Sequence, residues 1–198
     1  RNHRSQFQIP IIGITGSNGK TIVKEWLSIC LQNHYKVCKN PKSYNSQVGV
    51  SISVLGLNSG DEIGVFEAGI SQKGEMEKLQ NIIQPSIGIF TNIGQAHSEN
   101  FNSLEEKIKE KLKLFSGVEK LIYCKDHKEI HDAISRENST ELIAWSKQDD
   151  TAFLYVKHVN QKADKSILTL IQKATEKSFT IPFNDEASIE NCLHLICT

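Results

Sequence analysis

The stretch Ile9-Pro10-Ile11-Ile12-Gly13-Ile14-Thr15-Gly16-Ser17-Asn18-Gly19-Lys20-Thr21-Ile22-Val23 decides the fold. An apolar run ends in a glycine-rich turn, and a Lys-Thr pair then opens a stretch with apolar residues at helical spacing. Glycines let consecutive backbone N–H groups converge on an anion, and the new helix points its positive end at it. Lys20 adds a charge, and the Thr21 hydroxyl is of the kind that ligates Mg²⁺. Gly16, Ser17, Asn18, Gly19, Lys20 and Thr21 are therefore read as a phosphate cradle. The general pattern G-x-x-x-x-G-K-[ST] is missed by one position, because Ile14 stands where its first glycine belongs and Gly13 comes one residue early. A chance glycine-lysine turn is the competing reading. Against it stands the order of strand, loop and helix.

Outward from this loop, strands and helices alternate. Residues 22–34 read as a helix with Val23, Trp26, Leu27, Cys30 and Leu31 on one face, and 35–39 as a short strand. A polar loop follows, and 48–57 read as a buried helix despite their β-branched content. The strand at 63–66 ends at Glu67. The helix at 74–83 is stopped by Pro85, and a strand at 87–90 and a helix at 104–115 come next. The pattern continues with a strand at 121–124, a helix at 127–135 and a strand at 142–145. This order predicts an α/β fold of the P-loop type, with a mostly parallel, doubly wound sheet flanked by helices. After Asp150 the rhythm changes. Segments 153–159, 167–172 and 178–181 read as strands without intervening helices, a small antiparallel β unit spanning about 151–184, and 187–197 as a closing helix. The expected organisation is a core over 1–150, that unit, and the helix.

Composition narrows the class. Charged residues make up 23% and hydrophobic residues 38% of the 198, ordinary for a globular protein with a real core. Lys+Arg and Asp+Glu balance at 23 each, so no net field favours nucleic acid or an anionic membrane as partner. No run approaches the ~18 apolar residues of a membrane span. Five cysteines without a C-x-x-C pair, most of them in apolar runs, read as buried free thiols in a reducing, cytoplasmic setting rather than as disulfides or zinc ligands. The opening residues lack the apolar core of a signal peptide and an initiator Met. With the apolar pattern still running at Cys197-Thr198, the expectation is a piece of a longer protein.

Three further positions carry chemistry. Glu67 ends a buried strand near the loop, at the edge of an α/β sheet where ligands gather. It reads as a Mg²⁺-holding carboxylate or as a strand-end surface Glu. His97, after the strand at 87–90, shares that edge and reads equally as a ligand or as structural. Ser103-Leu104-Glu105-Glu106 forms a capping box, and Leu104, Ile108, Leu112 and Phe115 then share an apolar face. Lys111 is the lysine closest to that face; Lys109 and Lys113 point away, and Lys107 sits at its margin. Lys111 reads either as a snorkelling side chain or as a half-buried amine of lowered pKa.

Ile12-Gly13-Ile14-Thr15-Gly16-Ser17-Asn18-Gly19-Lys20-Thr21, Glu67-Ala68-Gly69 and Thr91-Asn92-Ile93-Gly94-Gln95-Ala96-His97 together resemble the ATP-binding central domain of the Mur ligase family. The glycine spacing that misses the general pattern matches this family. The segment from Asn92 to Leu104, with a lysine at 111, looks most like the member that adds D-alanyl-D-alanine. The opening residues and Lys24-Glu25-Trp26 are similar to a form fused to an alanine racemase.

The resemblance implies ATP as ligand, with Lys20 and the loop amides on its phosphates. It implies Thr21 and Glu67 on one Mg²⁺ and His97 on a second, and Lys111 as a lysine that takes up CO₂ as a metal-bridging carbamate. Lys20, His97 and Lys111 would then be the catalytic side chains. Asn45 matches an Asn near the phosphates. Asn191 matches an Asn that packs on adenine, although the family's His-Asn-x-x-Asn is Ala187-Ser188-Ile189-Glu190-Asn191 here. The implied reaction activates the carboxylate of UDP-N-acetylmuramoyl-tripeptide as an acyl phosphate, which the amine of D-alanyl-D-alanine then displaces. The family's N-terminal UDP-sugar domain and C-terminal lid domain are outside these residues. A folylpolyglutamate-synthase-like ligase core and a nucleotide-binding module without turnover are the competing readings. A GTPase is disfavoured by the lack of an N-K-x-D motif.

Overall fold

A computed structural model describes residues 3–94, 100–135 and 140–198. Strands β1 (Ile11–Thr15), β2 (Val37–Lys39), β3 (Ile63–Glu67), β4 (Ile87–Phe90), β5 (Lys120–Cys124), β6 (Glu141–Ser146), β7 (Leu154–Gln161), β8 (Ser166–Gln172) and β9 (Thr175–Ile181) form one sheet in the order β2-β3-β1-β4-β5-β6-β7-β8-β9. Pairing is parallel from β2 across to β7 and antiparallel between β7, β8 and β9. The expected antiparallel unit is thus the far edge of the same sheet, joined to it by the short β6–β7 ladder.

The central strands are apolar at consecutive positions because helices cover both faces. Ile11, Phe66, Phe90, Leu121 and Tyr123 point to a core shared with α2 (Gln47–Leu55), α3 (Glu75–Ile83), α4 (Leu104–Leu112) and α5 (Lys128–Ile134). Ile12, Ile14, Val65, Ile89, Ile122 and Trp145 point the other way, to α1 (Lys20–Gln32), α6 (Glu186–Cys197) and the curled β7–β9 edge. Gly13 belongs to β1 and not to the loop. A Cβ there would lie 2.9 Å from Pro85 Cβ, so its absence lets the turn into β4 close onto the strand.

Two expectations need correction. The helix at 48–57 is apolar on both sides but buried on one only: Val50 and Val54 reach the core, while Val48, Ile52 and Leu55 are 70%, 57% and 63% exposed. Helical geometry puts those two sets on opposite sides. The helix expected over 104–115 ends as α4 at Leu112 and continues as a 3₁₀ turn at Lys113–Phe115, which brings Leu114 and Phe115 under the sheet. The opening residues also have a role. Arg4 is buried, and its guanidinium donates to the carbonyls of Ile83 at 2.9 Å and Gln84 at 3.2 Å, capping the carboxyl end of α3.

The chain crosses from β1 to the β2 edge, returns through β3, and then moves past β1 to β4. The order reverses beside β1, so the carboxyl ends of β1, β3 and β4 flank a crevice. Those three ends carry the loop from Gly16, Glu67, and the segment from Thr91.

Candidate functional site

The loop after β1 leads into a helix whose first amides are left open. Gly19 is the N-cap of α1 in the left-handed region (φ 80°), and no side chain caps the helix. Its first internal bond runs from Val23 N–H to Gly19 O at 2.8 Å, so the N–H groups of Lys20, Thr21 and Ile22 have no acceptor inside the helix. Gly16 has φ 151°, and a Cβ on it would lie 2.0 Å from Thr91 Oγ1. The loop is anchored from behind by the segment after β4. Ser17 N–H donates to Asn92 O and Asn18 N–H to Asn92 Oδ1, each at 2.9 Å, while Gly94 N–H donates to Ser17 Oγ at 2.8 Å. Lys20 folds back on its own loop, donating to Gly16 O and Ser17 O at 3.0 Å each. Burial lowers its pKa, with Glu67 opposing the shift.

Thr21 and Glu67, expected to share a metal, lie together. The Thr21 hydroxyl donates to the Glu67 carboxylate at 2.8 and 3.1 Å. Glu67 is fully buried, and burial raises its pKa against the lowering pull of Thr21, Lys24 and Lys20. Its place at the strand end is fixed by Asn40, whose Oδ1 accepts from Glu67 N–H at 2.7 Å. Lys24, also fully buried, lies 3.6 Å from Glu67 Oε1 and 3.0 Å from Glu25 Oε1, and it donates to the carbonyls of Asn40 and Lys42.

Lys111 reaches the same loop from α4. It is 4% exposed, its Nζ donates to Gly16 O at 3.0 Å, and burial, then Lys20 and Lys107, bring its pKa to about 7. The half-buried reading therefore holds over the snorkelling one. Lys107 is not marginal: it is equally buried, one turn earlier, and donates to Gly94 O. Glu110 is buried as well and accepts from the N–H groups of Gly74 (2.7 Å) and Met76 (3.3 Å) at the start of α3. Three charged residues thus occupy the inner side of α4 because each finds backbone partners there. Lys109 stays in solvent, paired with Glu105 at 2.7 Å.

A cavity of about 160 Å³ opens between the loop and the start of α2, lined by Gly16, Ser17, Lys20, Lys111 and residues 45–47 and 69–71. Asn45 is on its wall, and the Asn45 carbonyl accepts from Gly69 N–H at 2.9 Å. Asn191, from α6, approaches the loop from the opposite side. A Cβ on Gly19 would meet Asn191 Oδ1 at 2.3 Å. A larger groove of about 720 Å³ between α4 and α5 shares none of these residues. His97 lies outside the described residues. Sequence reasoning missed Lys24, Asn40, Thr91, Asn92 and Lys107. For Lys24 the helical wheel gives only a weak signal, since it falls about 60° beyond Leu27, at the margin of the apolar stripe.

Of the thiols expected to be buried, Cys124, Cys192 and Cys197 are, Cys38 is half-buried, and Cys30, expected on the covered face of α1, is exposed. Among the described residues no helix is long and apolar enough to cross a membrane.

Similarity to known proteins agrees with this geometry. Over 189 residues the chain is 30% identical to the UDP-N-acetylmuramoyl-tripeptide–D-alanyl-D-alanine ligase of Bacillus subtilis, covering 94% of this chain and 40% of that protein. The corresponding ligase of Borreliella burgdorferi is 44% identical over 103 residues, 52% of this chain and 22% of that protein. The chain spans well under half the length of these curated relatives. In fold it superposes on the MurF ligase of Thermotoga maritima, solved in complex with ADP, with a TM-score of 0.87 at 22% identity, covering 99% of this chain and 46% of that one. The family model of the Mur ligase middle domain matches residues 14–198. The chain belongs to the Mur ligase middle-domain family.

Proposed function

We propose that this chain is the ATP-binding core of a cytoplasmic ligase. The whole enzyme would activate a UDP-N-acetylmuramoyl-tripeptide carboxylate as an acyl phosphate and join it to D-alanyl-D-alanine in peptidoglycan precursor synthesis. The observation that carries the reading is the meeting of Thr21 and Glu67 at a helix start that no side chain caps. The relatives' activity supports the substrate pair, as their name describes it.

The donor set fits the implied groups. Mg²⁺ takes hard oxygen ligands and binds through one or two carboxylates plus substrate phosphates, so one hydroxyl and one carboxylate beside a phosphate cradle suffice. Among the described residues no cluster of three His, Cys, Asp or Glu side chains forms an all-protein cage. Thr21 and Glu67 would hold one Mg²⁺, and His97 and a carbamylated Lys111 a second. Bound there, the metal neutralises charge on the transferring phosphoryl group.

The protein's own part is positioning. The N–H groups of Lys20, Thr21 and Ile22 aim the positive end of α1 at the phosphates. Lys20 exchanges the carbonyls of Gly16 and Ser17 for phosphate oxygens. Lys24 and Asn40 keep Glu67 oriented, and Asn45 lines the cavity in front of the loop. Lys111, with a pKa near neutrality, has the unprotonated amine that carbamate formation requires. Its neutral nitrogen would bond the carbon of CO₂ and lose a proton to solvent, giving a carbamate anion.

Calorimetric titration with ATP in Mg²⁺ tests this reading: Lys20→Ala should abolish binding by removing a charge-assisted contact. Unchanged affinity in that variant refutes it. A core that binds nucleotide without turning over is the second reading for the chain by itself, favoured by its span of 40% of the Bacillus relative. The 198-residue chain alone should therefore release no phosphate in the presence of both substrates. Binding of UDP-muramyl peptide rather than folate by the longer protein separates this ligase from the folate-type alternative. The same longer protein would reveal an alanine racemase fusion.

A further inference from the structure

We propose that His194 is a positioning residue of the phosphate cradle, holding the loop through Thr91. The proposal rests on the nucleotide-binding reading above, and none of its residues belongs to the metal pair.

His194 lies on α6 and is 1% exposed, in a core where an apolar residue would pack as well. Its two ring nitrogens are both used. Trp145, fully buried at the end of β6, donates Nε1–H to His194 Nδ1 at 3.2 Å. Nδ1 is therefore the acceptor and the proton sits on Nε2, which donates to Thr91 O at 3.1 Å. Burial lowers the pKa of the ring to about 4, so it is neutral and keeps this tautomer near neutral pH.

Thr91 passes the constraint to the loop. Its N–H donates to Thr15 O at 2.9 Å, and its hydroxyl donates to Asn18 O at 2.6 Å. The same hydroxyl fills the space a Gly16 side chain would need. Asn92, the next residue, accepts from Ser17 and Asn18 N–H. A buried imidazole bonded at both ends gives one orientation, whereas a leucine there would leave Thr91 O without its donor. One turn earlier on α6, Asn191 presses on Gly19. The closing helix thus braces the cradle at two points: Gly19 directly, and Asn18 through Thr91.

The test measures ATP affinity in Mg²⁺ by calorimetry and amide hydrogen exchange of the loop, using the 198-residue chain. His194→Leu should weaken affinity about tenfold and speed exchange at Ser17 and Asn18, with Ile122 and Ile143 unchanged. His194→Gln, which keeps a donor, should recover to within about threefold of the parent. Thr91→Val should match His194→Leu, and the double variant should lose no more than the worse single change, because both act through one chain of contacts. Unchanged affinity and loop exchange in His194→Leu, equal losses in the Leu and Gln variants, or additive losses in the double variant overturn the proposal. If His194→Leu does not fold, Thr91→Val and His194→Gln decide it, and a parent-like loop in Thr91→Val refutes it. Failure of the parent chain to bind ATP would refute the nucleotide reading instead, while loop exchange would still report on the His194 link.

Discussion

Replacing Lys111 by Met removes an amine that the folded chain protonates with difficulty. The side chain is 4% exposed, and burial beside Lys20 and Lys107 brings its pKa from 10.5 to about 7. Between those values the folded chain binds fewer protons at this site than the unfolded chain, so stability rises with pH through that window. Below about pH 7 the full cost of the buried amine applies, and above the unfolded value of 10.5 none does. From the two pKa values the cost is about 4 kcal/mol at pH 7.4 and about 2 kcal/mol at pH 9. Met has a similar length and no charge, but it forfeits the bond to Gly16 O, worth about 1 kcal/mol at any pH. Lys111→Met should thus be the more stable protein by about 3 kcal/mol at pH 7.4, with the advantage shrinking by about 2 kcal/mol at pH 9. Urea unfolding of both proteins at pH 6, 7.4 and 9 measures this, and taking the difference cancels the titrating groups that are not coupled to Lys111. A stability difference that does not change with pH refutes the buried-amine argument. The stabilised variant should also lose Mg²⁺-dependent nucleotide binding, as happens where a site is held at the expense of the fold.

Gly16→Ala should remove ATP binding by calorimetry, because its Cβ would lie 2.0 Å from Thr91 Oγ1 and 3.0 Å from Asn92 N in a backbone of φ 151°. Unaltered binding would show that the loop need not sit against Thr91. Lys24→Met leaves Glu67 buried without its cation and should cost about 3 kcal/mol in urea unfolding. It should also raise the Glu67 pKa further, so Mg²⁺-dependent binding at pH 6 falls more than at pH 8; parallel losses at both pH values would argue against a metal role for Glu67.

The fold was legible because its signals are local. A strand apolar on both sides, followed by a glycine turn and an amphipathic helix, repeats along the chain, and each boundary has its own punctuation, such as Pro85 after α3 or Ser103 before α4. Glu67 and Lys111 were legible for a related reason, since a strand end and a helical face are positions that sequence periodicity can locate. The exposed side of α2 was not, because Val48, Ile52 and Leu55 read as core in a sequence that cannot tell which half of an apolar helix meets the sheet. Asn40, Thr91 and His194 were out of reach for a different reason. Each acts by bonding a backbone group more than 25 residues away, and no local pattern records such a pairing.

Lysines show where the limit lies. A helical wheel places Lys24 and Lys107 beside apolar stripes, where solvated lysines are also common, so the wheel alone cannot bury them. What buries them is a supply of carbonyl oxygens, and that supply has a definite place in a parallel sheet. At the carboxyl ends of the strands the chain leaves the ladder, and its carbonyls lose their partners. Lys20 and Lys111 both take Gly16 O, Lys107 takes Gly94 O, and Lys24 takes Asn40 O and Lys42 O. Four lysines therefore gather at the switch point of the sheet on neutral carbonyls, with the carboxylates of Glu67 and Glu25 beside Lys24. Carbonyl dipoles place Lys20 and Lys111 without cancelling their charge; burial lowers the pKa of both, with Lys107 adding to the fall at each and Lys20 adding to it at Lys111. A polyanion entering beside Gly16 brings negative charge next to Lys20 and Lys111, which both bond the Gly16 carbonyl. The electrostatic cost of bringing these amines together, carried by the fold alone, is then recovered as affinity for phosphate.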